Sequence, residues 1–172
     1  DSIWTKTYGG AAADYGRSVQ PTTDGGFIIA GYTYSFGAGG IDIYLIKTDT
    51  VGDTLWTRTY GGTGDDYGYC VKQTDDGGYV ITGYTGSFGA GIWDVYLVRT
   101  DSNGSLLWSK TFGTASGEVG QYVQRTSDGG YIIVGSKAYV SNDLIYLIKT
   151  DSIGDVLCSK DIEGPNDNYG YS

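Results

Sequence analysis

The sequence predicts an all-β protein made of β-propeller blades, each a sheet of four antiparallel strands, and three observations support this prediction. The 172 residues include 30 Gly and 17 Tyr, and Gly costs about 1 kcal/mol relative to Ala inside a helix. Trp recurs every 52 residues, at Trp4, Trp56 and Trp108. Asp-Gly-Gly triplets recur at the same spacing, beginning at Asp24, Asp76 and Asp128. A period of this length is typical of a repeated supersecondary unit.

Each repeat is predicted to contain four strands separated by short turns. In the second repeat these strands are residues 68–74, 79–82, 95–100 and 106–112. In the first and third repeats, the second strand is predicted at 27–30 and 131–134. The third strand is predicted at 43–48 and 145–150, and the fourth at 54–60 and 155–162. The pair Asp76-Gly77, between the first and second strands, is typical of a tight hairpin turn.

The apolar pattern predicts how these strands pack. The second and third strands are almost continuously apolar, as from Tyr131 to Val134, so both faces of each sheet are expected to be covered. The fourth strand alternates, because Trp56 and Tyr60 are interleaved with threonines, which predicts a half-exposed outer strand. Small sheets stacked in this way are typical of propeller blades.

The whole chain, 1–172, is predicted to be a single repeat domain. It comprises the outer strand of a preceding blade (2–10), three blades (14–60, 66–112 and 118–162) and the start of a further blade (166–172). A β-trefoil is the alternative, since it also has three units of four strands, but it has no place for the extra segments at the two ends. Three blades are too few to close a ring, so we expect self-association or further blades of the same chain to complete the array.

The motif that recurs in each repeat resembles that of a known group of proteins. The unit contains Thr-x-Asp-Gly-Gly-Tyr/Phe, then Asp-x-Tyr-Leu, then Lys/Arg-Thr-Asp-x-x-Gly, then Leu-Trp, with Cys158 in the place of the next Trp. It resembles the repeat of secreted bacterial and archaeal β-propeller-like proteins and is similar in layout to kelch and quinoprotein-type blades. The resemblance implies an extracellular or cell-surface location. It implies no particular activity, because such folds carry many functions.

Charge and composition exclude several classes of function. The formal net charge is −9, whereas nucleic acids and anionic lipids call for basic patches, so neither partner is expected. No apolar run reaches 18 residues, which argues against membrane insertion. A chain that begins at Asp1 after export would have lost its signal peptide. Cys70 and Cys158 occupy non-equivalent positions in the repeat, so both are expected to be free thiols.

The sequence offers little for catalysis. It has no His, which removes His-based triads and His metal ligands, and we expect neither an enzyme nor a cofactor. Acidic residues that recur in each repeat, such as Asp24 and Asp76, are expected to hold turns. Asp42 and Asp94 follow Gly-Ala-Gly loops and are the calcium candidates, but EF-hand spacing is absent, which favours solvated loops and no metal.

Ligand binding is expected where the repeats differ from one another. The loop between the second and third strands carries Tyr34 in the first repeat, Trp93 in the second, and Lys137 with Tyr139 in the third. Exposed aromatic residues beside polar groups can bind carbohydrate or peptide. The alternative is that these side chains cap the ends of the blades.

Two further predictions concern single positions. Tyr15 and Tyr67 are expected to pack between blades, and Asn103 begins an N-glycosylation sequon at a predicted hairpin tip.

The patterns as a whole favour a non-enzymatic extracellular or cell-surface module of structural or adhesive type that self-assembles into rings or filaments. A carbohydrate- or peptide-binding propeller is the alternative, and a carboxylate-based hydrolase is the least favoured function.

Overall fold

The computed structural model describes residues 4–139 and 142–162, apart from the side chains of Tyr139 and Asn142. These residues form three separate four-stranded antiparallel sheets and no helix, which confirms the all-β prediction. The first sheet comprises β1 (Asp14–Pro21), β2 (Phe27–Thr33), β3 (Asp42–Thr48) and β4 (Thr54–Tyr60). The second comprises β5 (Asp66–Gln73), β6 (Tyr79–Thr85), β7 (Asp94–Thr100) and β8 (Leu106–Phe112). The third comprises β9 (Glu118–Arg125), β10 (Tyr131–Tyr139), β11 (Asn142–Thr150) and β12 (Val156–Ile162). The predicted start of a further blade at 166–172 lies outside the described residues.

Strand boundaries differ from the predicted ones where glycine interrupts the apolar pattern. β6 continues through Gly83 to Thr85, beyond its predicted end at residue 82. Glycine is required inside this strand, since a Cβ on Gly83 would stand 1.6 Å from the carbonyl oxygen of Tyr67 on β5. This close approach adjoins a β-bulge, in which Tyr69 is the extra residue of β5.

The third repeat does not have the predicted loop between its second and third strands. β10 runs to Tyr139, which pairs with Asn142 at the start of β11. The prediction that Lys137 and Tyr139 lie in a loop is therefore wrong. In the second repeat, Gly89 with φ +103° lets the loop turn around Asp94, whereas the third repeat contains no Gly-Ala-Gly segment.

Neighbouring sheets pack face to face through two equivalent apolar clusters, which we call joints. The first joint buries Ile28, Ala30, Ile43, Leu45 and Tyr60 of the first sheet against Val71, Tyr79, Ile81, Tyr96 and Val98 of the second. The second joint buries Cys70, Val80, Val95, Leu97 and Phe112 against Val123, Tyr131, Ile133 and Ile148 of the third sheet. Because both joints use the same positions of the repeat, the chain makes the same packing arrangement twice.

The third sheet is covered on one face only. Ile43 and Val95 are 0% and 1% exposed in the joints, whereas the equivalent Ile145 is 52% exposed. The prediction that both faces of every sheet are covered is wrong here, because no described residues pack on that side. The opposite end of the stack is open as well, since Val19 is 65% exposed and its equivalent Val71 is buried.

The segment 4–8 lies against the first sheet in the way that the outer strand of one sheet lies against the next sheet. Trp4 packs against Phe27 with ring centroids 6.1 Å apart, and Trp56 of β4 packs against Tyr79 of the second sheet at 5.9 Å. The Tyr8 hydroxyl donates a hydrogen bond to a backbone carbonyl of the β3–β4 turn. This segment therefore occupies the position that the sequence assigned to a preceding outer strand.

The recurring Asp-Gly-Gly triplets hold the turns between the first and second strands of each sheet. Asp24 accepts hydrogen bonds from the Thr22 hydroxyl and the Gly26 amide, and it pairs with Lys47. These contacts, with the hydrogen bond from Lys47 as the largest cause, lower the pKa of Asp24 to about 2. The other two triplets repeat the arrangement.

Candidate functional site

A continuous series of aromatic rings crosses the first two sheets. The series runs through Tyr15, Tyr32, Tyr67, Tyr84 and Trp93, and we call it the aromatic ladder. Successive ring centroids are 4.9, 4.4, 4.6 and 5.5 Å apart. Tyr34 joins the first end, 6.4 Å from both Tyr15 and Tyr32. These distances are typical of aromatic side chains in direct contact.

The repeat itself positions these rings. Tyr15 and Tyr67 hold the same place in β1 and β5, and Tyr32 and Tyr84 lie directly opposite them in β2 and β6. Side chains that face each other across an antiparallel pair are close enough to stack. The contact between Tyr32 and Tyr67 then connects the first sheet to the second.

Three hydroxyl groups of the ladder, those of Tyr32, Tyr67 and Tyr84, form hydrogen bonds. Arg17 donates a hydrogen bond of 2.7 Å to the Tyr32 hydroxyl, and its guanidinium lies 5.2 Å from the ring centroid. Burial, assisted by a hydrogen bond with Tyr34, raises the pKa of Tyr67 to about 12. Burial likewise raises the pKa of Tyr84. The Tyr67 and Tyr84 hydroxyls therefore stay protonated near neutral pH and can both donate and accept hydrogen bonds.

The rings at the two ends of the ladder are the most exposed, those of Tyr67 and Tyr84 are half-buried, and that of Tyr32 is buried. Tyr15, Tyr34 and Trp93 are 48%, 50% and 45% exposed, whereas Tyr32 is 6% exposed. Tyr15 stacks within its own sheet, and no described sheet precedes it, so its packing between blades stays a prediction. The same prediction is confirmed for Tyr67, which contacts the neighbouring sheet through Tyr32.

The ladder ends at the second sheet because the third repeat has other residues at its positions. Val119 stands in the place of Tyr67, and Ser136 stands in the place of Tyr84. Differences between repeats led the sequence analysis to Tyr34 and Trp93, which lie at opposite ends of the ladder. Tyr15 and Tyr67 were predicted only as packing residues, and Tyr32 and Tyr84 went unrecognised, although tyrosine at matching positions of two repeats was the signal that could have identified the series.

Lys137 does not belong to the ladder. Its Nζ lies 3.1 Å from Asp161 Oδ2 and 5.4 Å from the ring centroid of Tyr146, both in the third sheet. The hydrogen bond with Asp161 raises the pKa of Lys137. Of the four predicted ligand-binding residues, the ladder contains Trp93 and contacts Tyr34, whereas the side chain of Tyr139 lies outside the described part of the chain.

Pairs of buried carboxylates lie beside both joints. Asp42 and Asp66 are 1% and 0% exposed. One carboxylate oxygen of Asp42 and one of Asp66 both lie within 2.5 Å of the position that a Cβ atom on Gly61 would occupy. Asp94 and Glu118 form the equivalent pair at the second joint and are equally buried. Burial raises the pKa of Asp42, and the Asp66 carboxylate adds to this effect, while backbone hydrogen bonds oppose it.

The calcium candidates organise their loops and are not solvated, contrary to the sequence analysis. Asp42 accepts a hydrogen bond of 3.0 Å from the Ala38 amide. Asp94 accepts equivalent bonds from Ala90 and Gly91. Within the described residues, no three His, Cys, Asp or Glu side chains are grouped so that they could hold a metal ion. Calcium binding at these positions stays a prediction that the geometry does not favour.

Two grooves lie between neighbouring sheets on the side of the Asp-Gly-Gly turns. The first has a volume of about 390 Å³ and contains Trp56 and Tyr79, and the second has about 370 Å³ and contains Trp108 and Tyr131. Their equivalent linings show that they arise from the joint geometry. Asn103 is exposed beside the first groove, in the turn between β7 and β8, and its glycosylation stays a prediction.

The two cysteines are free thiols, as the sequence predicts. Cys70 is buried in the second joint, whereas Cys158 is exposed on β12. Cys158 occupies the repeat position that Trp56 and Trp108 occupy in the other sheets. Among the residues that the structure describes, no helix is long and apolar enough to cross a membrane.

Comparison with known proteins gives one distant similarity. No family model matches the chain. The chain is similar to the "Regulatory protein FlaEY" of Caulobacter vibrioides, with 26% identity over 160 residues. The match covers 78% of this chain and 17% of that protein, so the chain spans less than a fifth of its relative.

Proposed function

We propose that this chain is a non-enzymatic β-propeller module, structural or adhesive, that acts outside the cell or at its surface by joining four-stranded sheets of its own kind. The observation that supports the proposal is the open joint surface at each end of the stack. Ile145 and Val134 are 52% and 38% exposed at one end, and Val19 is 65% exposed at the other. The equivalent residues Ala30, Ile43 and Val71 are buried in the first joint, and exposed apolar surface of this kind can mark an interaction site.

The sheet topology favours a propeller over a trefoil. Each described strand pairs only with strands of its own repeat, in the order of the chain, as the strands of a propeller blade do. Propellers have four to eight blades, so three sheets with open outer faces are an incomplete array. The extracellular location rests on the resemblance of the repeat to secreted proteins and on the acidic composition, which favours solubility.

The partner that fits the third sheet is another sheet of the same repeat. In the first joint, Ile43 of one sheet meets a neighbour that presents Val71 and Ile81. A second copy of the chain presents Val19 and Ile29 at these positions of its first sheet, and its segment 4–8 would give up its place there to β12 of the neighbouring copy. Head-to-tail contacts between identical chains give closed rings or filaments, and further repeats of a longer protein would occupy the same place.

Paired surface variants test the proposal. We expect the wild-type chain to form complexes whose mass rises with concentration in light scattering, and either Val19→Lys or Ile145→Lys to abolish them. A buried, unpaired lysine at an apolar joint is strongly unfavourable. Ile153→Lys is the matched control, because Ile153 is 58% exposed in the turn between β11 and β12.

Mixing the two variants gives a sharper test. Each variant retains one intact end, so an equimolar mixture is expected to form a one-to-one complex and nothing larger. A monomeric wild type at all concentrations, or variants that associate as the wild type does, would contradict self-association through these faces.

A further inference from the structure

We infer that the aromatic ladder binds a neutral carbohydrate chain. The inference goes beyond the proposed function, because no ladder residue belongs to the apolar clusters of the two joints. Tyr15 lies on the open first sheet, whereas Trp93 lies next to Gly117, between the second and third sheets, so a Trp93 variant tests the ladder separately from the open ends. It rests on the exposed rings at the ends of the ladder, the hydroxyl groups along it and the charges around it.

The ring surfaces supply the apolar part of such a site. The joints are filled mostly with aliphatic side chains, whereas the ladder is entirely Tyr and Trp. Half-exposed rings at Tyr15, Tyr34 and Trp93 leave aromatic surface available to a ligand. Aromatic side chains with a polar end are typical of binding surfaces where one side of the ligand is apolar and the other is hydrated.

The hydroxyl groups supply the polar part. Tyr67 and Tyr84 carry neutral hydroxyls that donate and accept hydrogen bonds. The hydroxyls of a sugar have the same dual character, so each can be matched in either direction. A polyproline-type peptide offers carbonyl acceptors without backbone donors and would use only half of this capacity.

The surrounding charges favour a neutral ligand. Among the described residues, Arg17 is the cation in contact with the ladder rings, and its guanidinium is already engaged by Tyr32. Asp65 lies close enough to Tyr67 and Tyr84 to raise the pKa of both. With a net charge of −9, this surface repels anionic ligands. The exposed and half-buried rings of Tyr15, Tyr67, Tyr84 and Trp93 extend across two sheets and match several linked sugars better than one.

Affinity electrophoresis with matched aromatic variants tests the inference. The probes are hydroxyethyl cellulose, xylan, glucomannan and laminarin, each cast in a native gel, with poly-L-proline titrated in solution as the peptide probe. The variants are Trp93→Ala and Tyr34→Ala. Phe88→Ala is the control, since Phe88 lies in the same loop as Trp93 and is 47% exposed, but its ring packs against Tyr96, which is not part of the ladder. Thermal unfolding checks that all three variants stay folded.

We expect at least one polysaccharide to retard the wild type and Phe88→Ala equally. Loss of one stacked ring in Trp93→Ala should weaken that affinity about tenfold, with a similar effect for Tyr34→Ala. Failure of every polysaccharide to retard the wild type would overturn the inference. Equal losses in the ladder variants and the control, or binding of poly-L-proline in place of the polysaccharides, would also overturn it.

Discussion

Asp42 and Asp66 place two buried carboxylates less than about 5 Å apart beside the first joint. The Asp42 pKa is raised, because burial and the neighbouring charge both disfavour its ionised form. Because the pKa of Asp42 is higher in the folded state, its protonated form stabilises the fold at pH values below the unfolded pKa of 3.8. This contribution to stability is lost as the pH rises through the folded-state pKa. At neutral pH the charged pair therefore weakens the fold.

Replacement of Asp42 by asparagine should stabilise the protein at neutral pH. The amide oxygen of the new side chain would still accept the Ala38 hydrogen bond, while the like-charge repulsion with Asp66 disappears. We expect Asp42→Asn to raise the free energy of unfolding at pH 7, measured by urea denaturation, because the amide carries no charge that burial would disfavour. The gain should shrink as pH falls toward 4, since the wild-type Asp42 then binds its proton.

Asp143→Asn is the control for this prediction, because Asp143 is exposed on the third sheet. It should leave the free energy of unfolding unchanged at both pH values. If Asp42→Asn destabilised the protein at pH 7, the ionised carboxylate would be a net stabilising group, and repulsion between the pair would not be the dominant effect.

Residue-scale prediction from the sequence succeeded for turns and only in part for the ligand surface. Asp24 could be predicted to hold a turn, because Asp-Gly-Gly has a strong local conformational preference. Trp93 and Tyr34 could be found as differences between repeats. Lys137 could not be placed, since its partner Asp161 is fixed by the pairing of β11 with β12, a contact that no local pattern encodes.

At the scale of elements, Gly83→Ala should be strongly destabilising. A methyl group there would meet the Tyr67 carbonyl oxygen at 1.6 Å, so β5 and β6 would have to separate next to the bulge. We expect a loss of about 3 kcal/mol in the free energy of unfolding, measured by thermal or urea denaturation. Gly16→Ala is the matched control, because its added Cβ meets only Ile29 Cγ2, at 3.9 Å.

A Gly16→Ala variant as unstable as Gly83→Ala would show that general loss of glycine, and not this close approach, determines the stability. The same contact explains why strand existence was predictable and strand ends were not. The outer strands β4 and β8 were predicted to the residue, since an alternating pattern ends at clear turns. The end of β6 was missed, because glycine normally weakens a strand and here permits the strand to continue.

For the whole molecule, the repeat period predicted three equivalent sheets, and the structure contains them. The strands of each sheet pair only within one repeat, and contacts of this kind can be predicted from a sequence pattern. The proposed addition of further sheets depends on contacts beyond these repeats, which no pattern within one repeat records. The open faces at Val19 and Ile145 therefore became visible only when their exposure was compared with that of the equivalent buried residues.

Electron microscopy of the isolated chain, combined with mass determination, tests the central claim most directly. If the open faces join copies head to tail, the 18.3 kDa chain will appear as closed rings or filaments with a mass that is a multiple of one chain. Uniform particles with the mass of a single chain, at concentrations well above those used for the variants, would contradict the claim.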